Sequence, residues 1–161
     1  MPFSHRVFCR LLEAPSLSEV LIWVRQHGFG AKISGGRSAN DLLSCYWDDV
    51  FLQTVAEDAA LHLRCLRRQP SGLDPMYEEV ADFVGDLREV PRSAASERVL
   101  EQLAATRSVL VVEFPLEGAW IRNEEMAASI TDLFTERAQG LAQRDGLGFV
   151  DEDDEVVLAL G

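Results

Sequence analysis

Positive charge is scarce in this chain and unevenly placed. Lys32 is its only lysine, and 15 basic residues stand against 27 acidic ones in 161 residues, for a net charge of −12. Residues 1 to 75 hold eight basic and eight acidic side chains, whereas residues 76 to 161 hold seven and nineteen, so the whole excess lies in the second part. Such a surface argues against nucleic acid as a partner, because binding a phosphate backbone needs a basic footprint to displace counterions. Cysteine is equally sparse. Cys9, Cys45 and Cys65 have no CxxC spacing and leave an odd thiol in any pairing, which predicts a reducing, cytoplasmic setting. There is no run of eighteen apolar residues, and MPFSHRVFCRLLEAPS carries no signal-type cleavage site, so neither membrane insertion nor secretion is expected.

What is present reads as alternating strands and helices. RVFCRLLE, Arg6 to Glu13, predicts a strand that ends before Pro15. Ser16 and Glu19 have the spacing of a capping box, Leu17, Val20, Leu21 and Val24 form a helical stripe, and Gly28 stops the helix. Short strands are expected at residues 30 to 34, from Trp47 to Ala56 and from Ala60 to Arg67, with AED as a hairpin turn between the last two. Asp74-Pro75 opens a helix that ends before Pro91, and a further helix spans about Ser93 to Ala105. SVLVVEFP, Ser108 to Pro115, is apolar on both faces, as a strand in the middle of a covered sheet should be. Asn123 is expected to cap the last long helix, and strands near Leu141 to Arg144 and Val156 to Leu160 close the chain.

The two parts echo each other, since Gly30 and Gly140 each follow a helix end and each part reads β-α-β-β. The expected fold class is therefore α/β, or α+β, with two ferredoxin-like halves related by an old duplication and helices packed against one face of an antiparallel or mixed sheet. One continuous α/β sandwich is the alternative. A single compact domain over residues 1 to 161 is expected, or two packed halves, 1 to 90 and 91 to 161.

The patterns that carry chemistry are mostly missing. DEDDE, Asp151 to Glu155, has acids at alternate positions but neither the glycine nor the late glutamate of a calcium loop, so it reads as a hairpin turn and not as a metal site. Gly35, Gly36, Arg37 and Ser38 form a candidate anion site, because successive N–H groups and one guanidinium can cradle a negative charge. The phosphate-loop motif GxxxxGK[ST] is absent, and no serine sits in GxSxG. His62 and Cys65 fall on opposite faces of a strand and cannot share an ion, and Cys65 reads as a small buried hydrophobe. The adjacent pairs Asp48/Asp49 and Glu78/Glu79 point apart, which does not suit a two-carboxylate mechanism. No catalytic, metal or cofactor residue is assigned.

Candidate interface residues are Trp120 in the loop LEGAWIRN, Trp47 and Tyr46, and the acids Glu78, Glu79 and Asp82. GLAQRDGLGFVDEDDEVVLAL resembles the C-terminal ends of small uncharacterised bacterial proteins, with a helix, a glycine, a DG turn, a GF pair and an acidic hairpin. In size and charge the chain is similar to acidic bacterial immunity proteins, which neutralise basic toxins. The leading expectation is a non-catalytic binding protein of the bacterial cytoplasm with a basic protein partner, a homodimer being left open. The alternative is a small enzyme or ligand-binding domain with a cleft between the halves.

Overall fold

A computed structural model describes residues 3–54, 60–68, 74–114 and 120–160, the side chains of 54, 120 and 121 excepted. The expected AED turn lies outside the described residues. Eight strands, β1 (Phe3–Cys9), β2 (Ala31–Ile33), β3 (Asp49–Thr54), β4 (Ala60–Arg67), β5 (Ser108–Phe114), β6 (Gly140–Arg144), β7 (Gly148–Val150) and β8 (Val156–Ala159), form one sheet. Its order is β2-β3-β4-β5-β1-β6-β7-β8, with every neighbouring pair antiparallel. Among the described residues five helices accompany it: α1 (Leu17–Gln26), α2 (Ala39–Leu43), α3 (Pro75–Arg88), α4 (Ala94–Ala104) and α5 (Trp120–Arg137).

The helices cover both faces of the sheet, which corrects the expectation that they share one. Alternation along β5 explains why. Leu110, Val112 and Phe114 pack with Leu17, Val20 and Val24 of α1 and with Met126, Ile130 and Leu133 of α5. Val109 and Val111 turn the other way, onto Met76 and Leu87 of α3 and Val99 and Leu103 of α4. A strand whose residues are nearly all fully buried needs a layer on each side. Cys65 joins Leu61 and Leu63 on the α1/α5 side, as its small-hydrophobe reading requires.

The central strands interleave early and late sequence, because β1 pairs with β5 on one side and β6 on the other. After its helix, each part of the chain makes a three-stranded meander. β2-β3-β4 runs from the sheet edge inward, and β6-β7-β8 runs from the centre outward.

Local chemistry sets the helix starts. Ser16 accepts from the Glu19 N–H while the Glu19 carboxylate takes the Ser16 N–H, so two donors at the start of α1 are satisfied together. Asp74 accepts from the N–H groups of Met76 and Tyr77, and Pro75 needs no acceptor at the first helical position. At α5 the expected cap is wrong, because the helix begins at Trp120 and Asn123 lies inside it. Asn123 belongs to the inward row with Met126, Ile130 and Leu133 and is 1% exposed. That periodicity carries the helix back past it.

Candidate functional site

Arg6 sits on β1 beside the inner side of α3, and its surroundings define an acidic groove. Its Nε donates to Glu79 at 2.9 Å, and its Nη1 donates to Gln143 and to Asp145, each at 2.9 Å. The guanidinium carbon lies 5.2 Å from the centre of the Phe83 ring. Asp145 is fixed in turn, since its other oxygen takes the Ser4 N–H at 3.0 Å. Around this cluster opens a groove of about 710 Å³, lined among others by Phe83, Asp86, Glu89, Asp145 and Leu160. Asp86 on α3 and Glu89, its C-cap, are exposed and have no ion-pair partner among the described residues. The groove can therefore hold a cation against an aromatic face, as it already holds Arg6.

The sequence-expected interface residues divide between this surface and the core. Glu78 and Asp82 are exposed on α3, two turns and one turn before Asp86 respectively. Glu79 is instead committed to Arg6. Trp47 is not an exposed anchor: it is 4% exposed, its indole N–H donates to the Pro15 carbonyl at 2.8 Å, and Phe134 meets it edge-on. A ring that finds both apolar contact and a hydrogen-bond acceptor indoors has no reason to face water. Tyr46 is 55% exposed, and its hydroxyl donates to Glu13 at 3.0 Å. Trp120 opens α5, and its side chain lies outside the described residues. Tyr77 was missed by the sequence reading, although it is 67% exposed at the start of α3. Its place between the inward Met76 and Val80 was the available signal.

In the glycine loop two of the donors have internal partners. Gly35 adopts a φ of 82°, Ser38 caps α2, and the Ser38 N–H is taken by the Asp41 carboxylate at 3.3 Å. Arg37 donates to the Asp49 carbonyl at 2.6 Å. Gly35, Gly36, Arg37 and Ser38 thus form the loop that leads into α2, with the Ser38 N–H held by the Asp41 carboxylate. The acidic tail is a turn joining β7 to β8. One Asp151 oxygen accepts from the N–H groups of Asp153 and Glu155, at 2.9 and 3.0 Å. Among the described residues, no group of three or more His, Cys, Asp or Glu is arranged to hold a metal ion.

Two groups titrate away from their ordinary ranges nearby. Asp132 on α5 is pushed up to about 6, chiefly by burial and by the Asp154 carboxylate, against the pull of Arg144. Arg144 bridges the two, at 3.7 Å to Asp132 and 2.6 Å to Asp154. His5 is pulled down to about 4, chiefly by burial and then by the neighbouring Arg144 and Arg6, against the Ser4 carbonyl and Asp145. Its Nδ1 is 3.2 Å from the Ser4 carbonyl, while its buried Nε2 has no hydrogen-bond partner among the described residues. Among the thiols, burial pushes Cys65 up to about 11 and Cys9 higher still, so neither is a thiolate at neutral pH.

The chain matches no known family, no curated protein and no solved structure. Among the described residues, no helix is long and apolar enough to cross a membrane.

Proposed function

We propose that this is a non-catalytic interaction protein whose acidic groove beside α3 docks a basic segment of a protein partner. One observation carries the reading. The groove already binds a guanidinium, that of Arg6, between Phe83 and the carboxylates of Glu79 and Asp145. Asp86 and Glu89 extend the same chemistry along the groove, and an incoming arginine would meet free carboxylates over an apolar floor. The charge division supports this, because nineteen of 27 acids belong to residues 76 to 161.

An immunity-like role, in which the chain neutralises a basic toxin in the bacterial cytoplasm, is the specific form that its size and charge favour. The finer reading of the fold, two β-α-β-β halves from an old duplication, belongs to the same proposal. The shared order of strand, helix and meander supports it, and the opposite directions of the two meanders weigh against it. A pull-down from the native cell at low salt, using the wild type beside Asp86→Lys/Glu89→Lys, tests the function. Basic proteins should be recovered by the wild type and lost with the variant. Equal recovery by both would remove the groove from the interaction.

A further inference from the structure

We propose a second site of opposite sign, in the cleft between the end of β4 and the start of α3, that binds a single oxyanion carried on an aromatic or aliphatic body. This inference rests on the geometry of that cleft alone and is independent of the basic-partner reading. The cleft encloses about 590 Å³, with Leu12, Leu66 and Pro75 as apolar lining and Tyr46 as an aromatic wall. Arg64, Arg67 and Arg68 line it as well.

The balance of charges around the cleft selects the ligand. Asp48 and Asp49 line the cleft too, and each is engaged, Asp48 with Arg67 at 3.4 Å and Asp49 with His62 at 3.3 Å; beyond the lining, Glu113 pairs with Arg64 at 2.6 Å and Glu13 accepts from the Tyr46 hydroxyl at 3.0 Å. Arg68 and Arg107 are left over. Both are exposed, neither side chain has a hydrogen-bond or ion-pair partner among the described residues, and their backbones are joined by the Arg68 N–H to the Arg107 carbonyl at 3.4 Å. Arg107 adjoins the cleft through that backbone bond to the lining residue Arg68, and the Glu13 carboxyl is held below its usual range by its own backbone N–H, by the Tyr46 hydroxyl and also by Arg107.

The walls add a second observation. Among the described residues the buried Nε atoms of Arg64 and Arg67 lack any acceptor, while Nη2 of Arg64 donates to Glu113 and Nη2 of Arg67 to the Cys45 and Trp47 carbonyls. Unmet guanidinium donors are uncommon, and two of them belong to side chains lining one cleft. The Arg67 guanidinium is further held 5.5 Å from the centre of the Tyr46 ring, which keeps that wall upright. The net charge of −12 limits the ligand's size. A polyanion is repelled by the rest of the molecule, whereas one carboxylate or phosphate group adds a single charge beside Arg68 and Arg107. Guanidinium forks suit either planar or tetrahedral oxyanions, so both chemistries belong in the test.

The test is an NMR and thermal-shift titration with phenyl phosphate, phenylacetate and inorganic phosphate, each against sodium chloride at matched ionic strength. At least one aromatic probe should bind saturably, shift the Tyr46 and Arg68 amides, and bind roughly tenfold more tightly than inorganic phosphate. The variant Arg68→Ala/Arg107→Ala alters two exposed side chains and should lose roughly tenfold or more in affinity, while Arg98→Ala, exposed on α4, should bind as the wild type does. Shifts that grow linearly with salt and match those of chloride would overturn the proposal. So would unchanged affinity in the double variant. Whichever aromatic probe binds more tightly names the oxyanion.

Discussion

Asp132 and His5 pull stability in opposite directions across the same pH window. Asp132 is raised from 3.8 to about 6, so the folded state holds its proton more firmly than the unfolded chain, and that stabilisation disappears as pH rises through about 6. Above it the carboxylate, crowded by Asp154, destabilises the fold. His5 is lowered from 6.5 to about 4, so its contribution is complete above 6.5 and is lost as pH falls through about 4. For a side chain 1% exposed, that shift is worth about 3 kcal/mol. Asp132→Asn should therefore raise stability at pH 7 to 8 by about 1 kcal/mol, a figure reduced for its partial exposure. Its unfolding midpoint should also fall more steeply than the wild type's between pH 6 and 4, because the opposing slope is gone. Coincident thermal profiles for the two proteins would contradict both effects. A backbone effect is expected at Gly148, whose φ of 114° excludes most side chains and whose Cβ would overlap the Leu158 carbonyl and lie 2.7 Å from the Leu160 nitrogen. Gly148→Ala should lose several kcal/mol, about 2 to 4, in urea unfolding, since strained φ and overlap with rigid backbone act together. A loss below about 0.5 kcal/mol would mean that β8 moves freely away.

At the scale of elements, the chain was most legible where one motif satisfies a helix end. The Ser16/Glu19 box and Asp74-Pro75 place α1 and α3 within about a residue of their expected starts, because each motif answers specific unpaired N–H groups. Ser16→Ala should accordingly cost about 1 kcal/mol, with a midpoint shift of a few degrees in a thermal melt, and an unchanged melt would show that tertiary packing alone holds that end. The α5 start was misread for a related reason: Asn123 is a capping residue by type, but its position in an apolar row decides its role. Helix α2 was not foreseen, since its Ser38/Asp41 box lies in a glycine-rich stretch that reads as loop. The two-sided cover was present in SVLVVEF, yet an expectation of helices on one face set that signal aside. Sheet order was not legible at all, because pairing β1 between β5 and β6 depends on contacts roughly a hundred residues or more apart in the chain.

For the molecule as a whole, charge was legible in the sequence, but its partition into occupied and free carboxylates was not. Glu79 and Asp82 look equivalent along the chain, and only the approach of Arg6 from β1 distinguishes them. This changes which substitutions can test steering. Reversing Glu79 would strand the Arg6 guanidinium, whose side chain is 18% exposed, and would confuse a loss of fold with a loss of binding. Asp82, Asp86 and Glu89 are exposed, and no ion pair ties them down among the described residues. They can be reversed without breaking a known contact. If the groove docks a basic partner, the field of these acids should accelerate association most at low salt, because the screening length shrinks from about 30 Å at 0.01 M to about 8 Å at 0.15 M. Asp82→Lys/Asp86→Lys/Glu89→Lys should lower the association rate roughly tenfold or more near 0.01 M salt and much less at 0.15 M, with a smaller change in dissociation. Tyr77→Ala should act on dissociation instead if its exposed ring packs against the partner. Stopped-flow mixing of the captured partner with each variant separates the two rates. An association rate indifferent to both salt and charge reversal would leave the acidic surface of α3 a role in solubility alone.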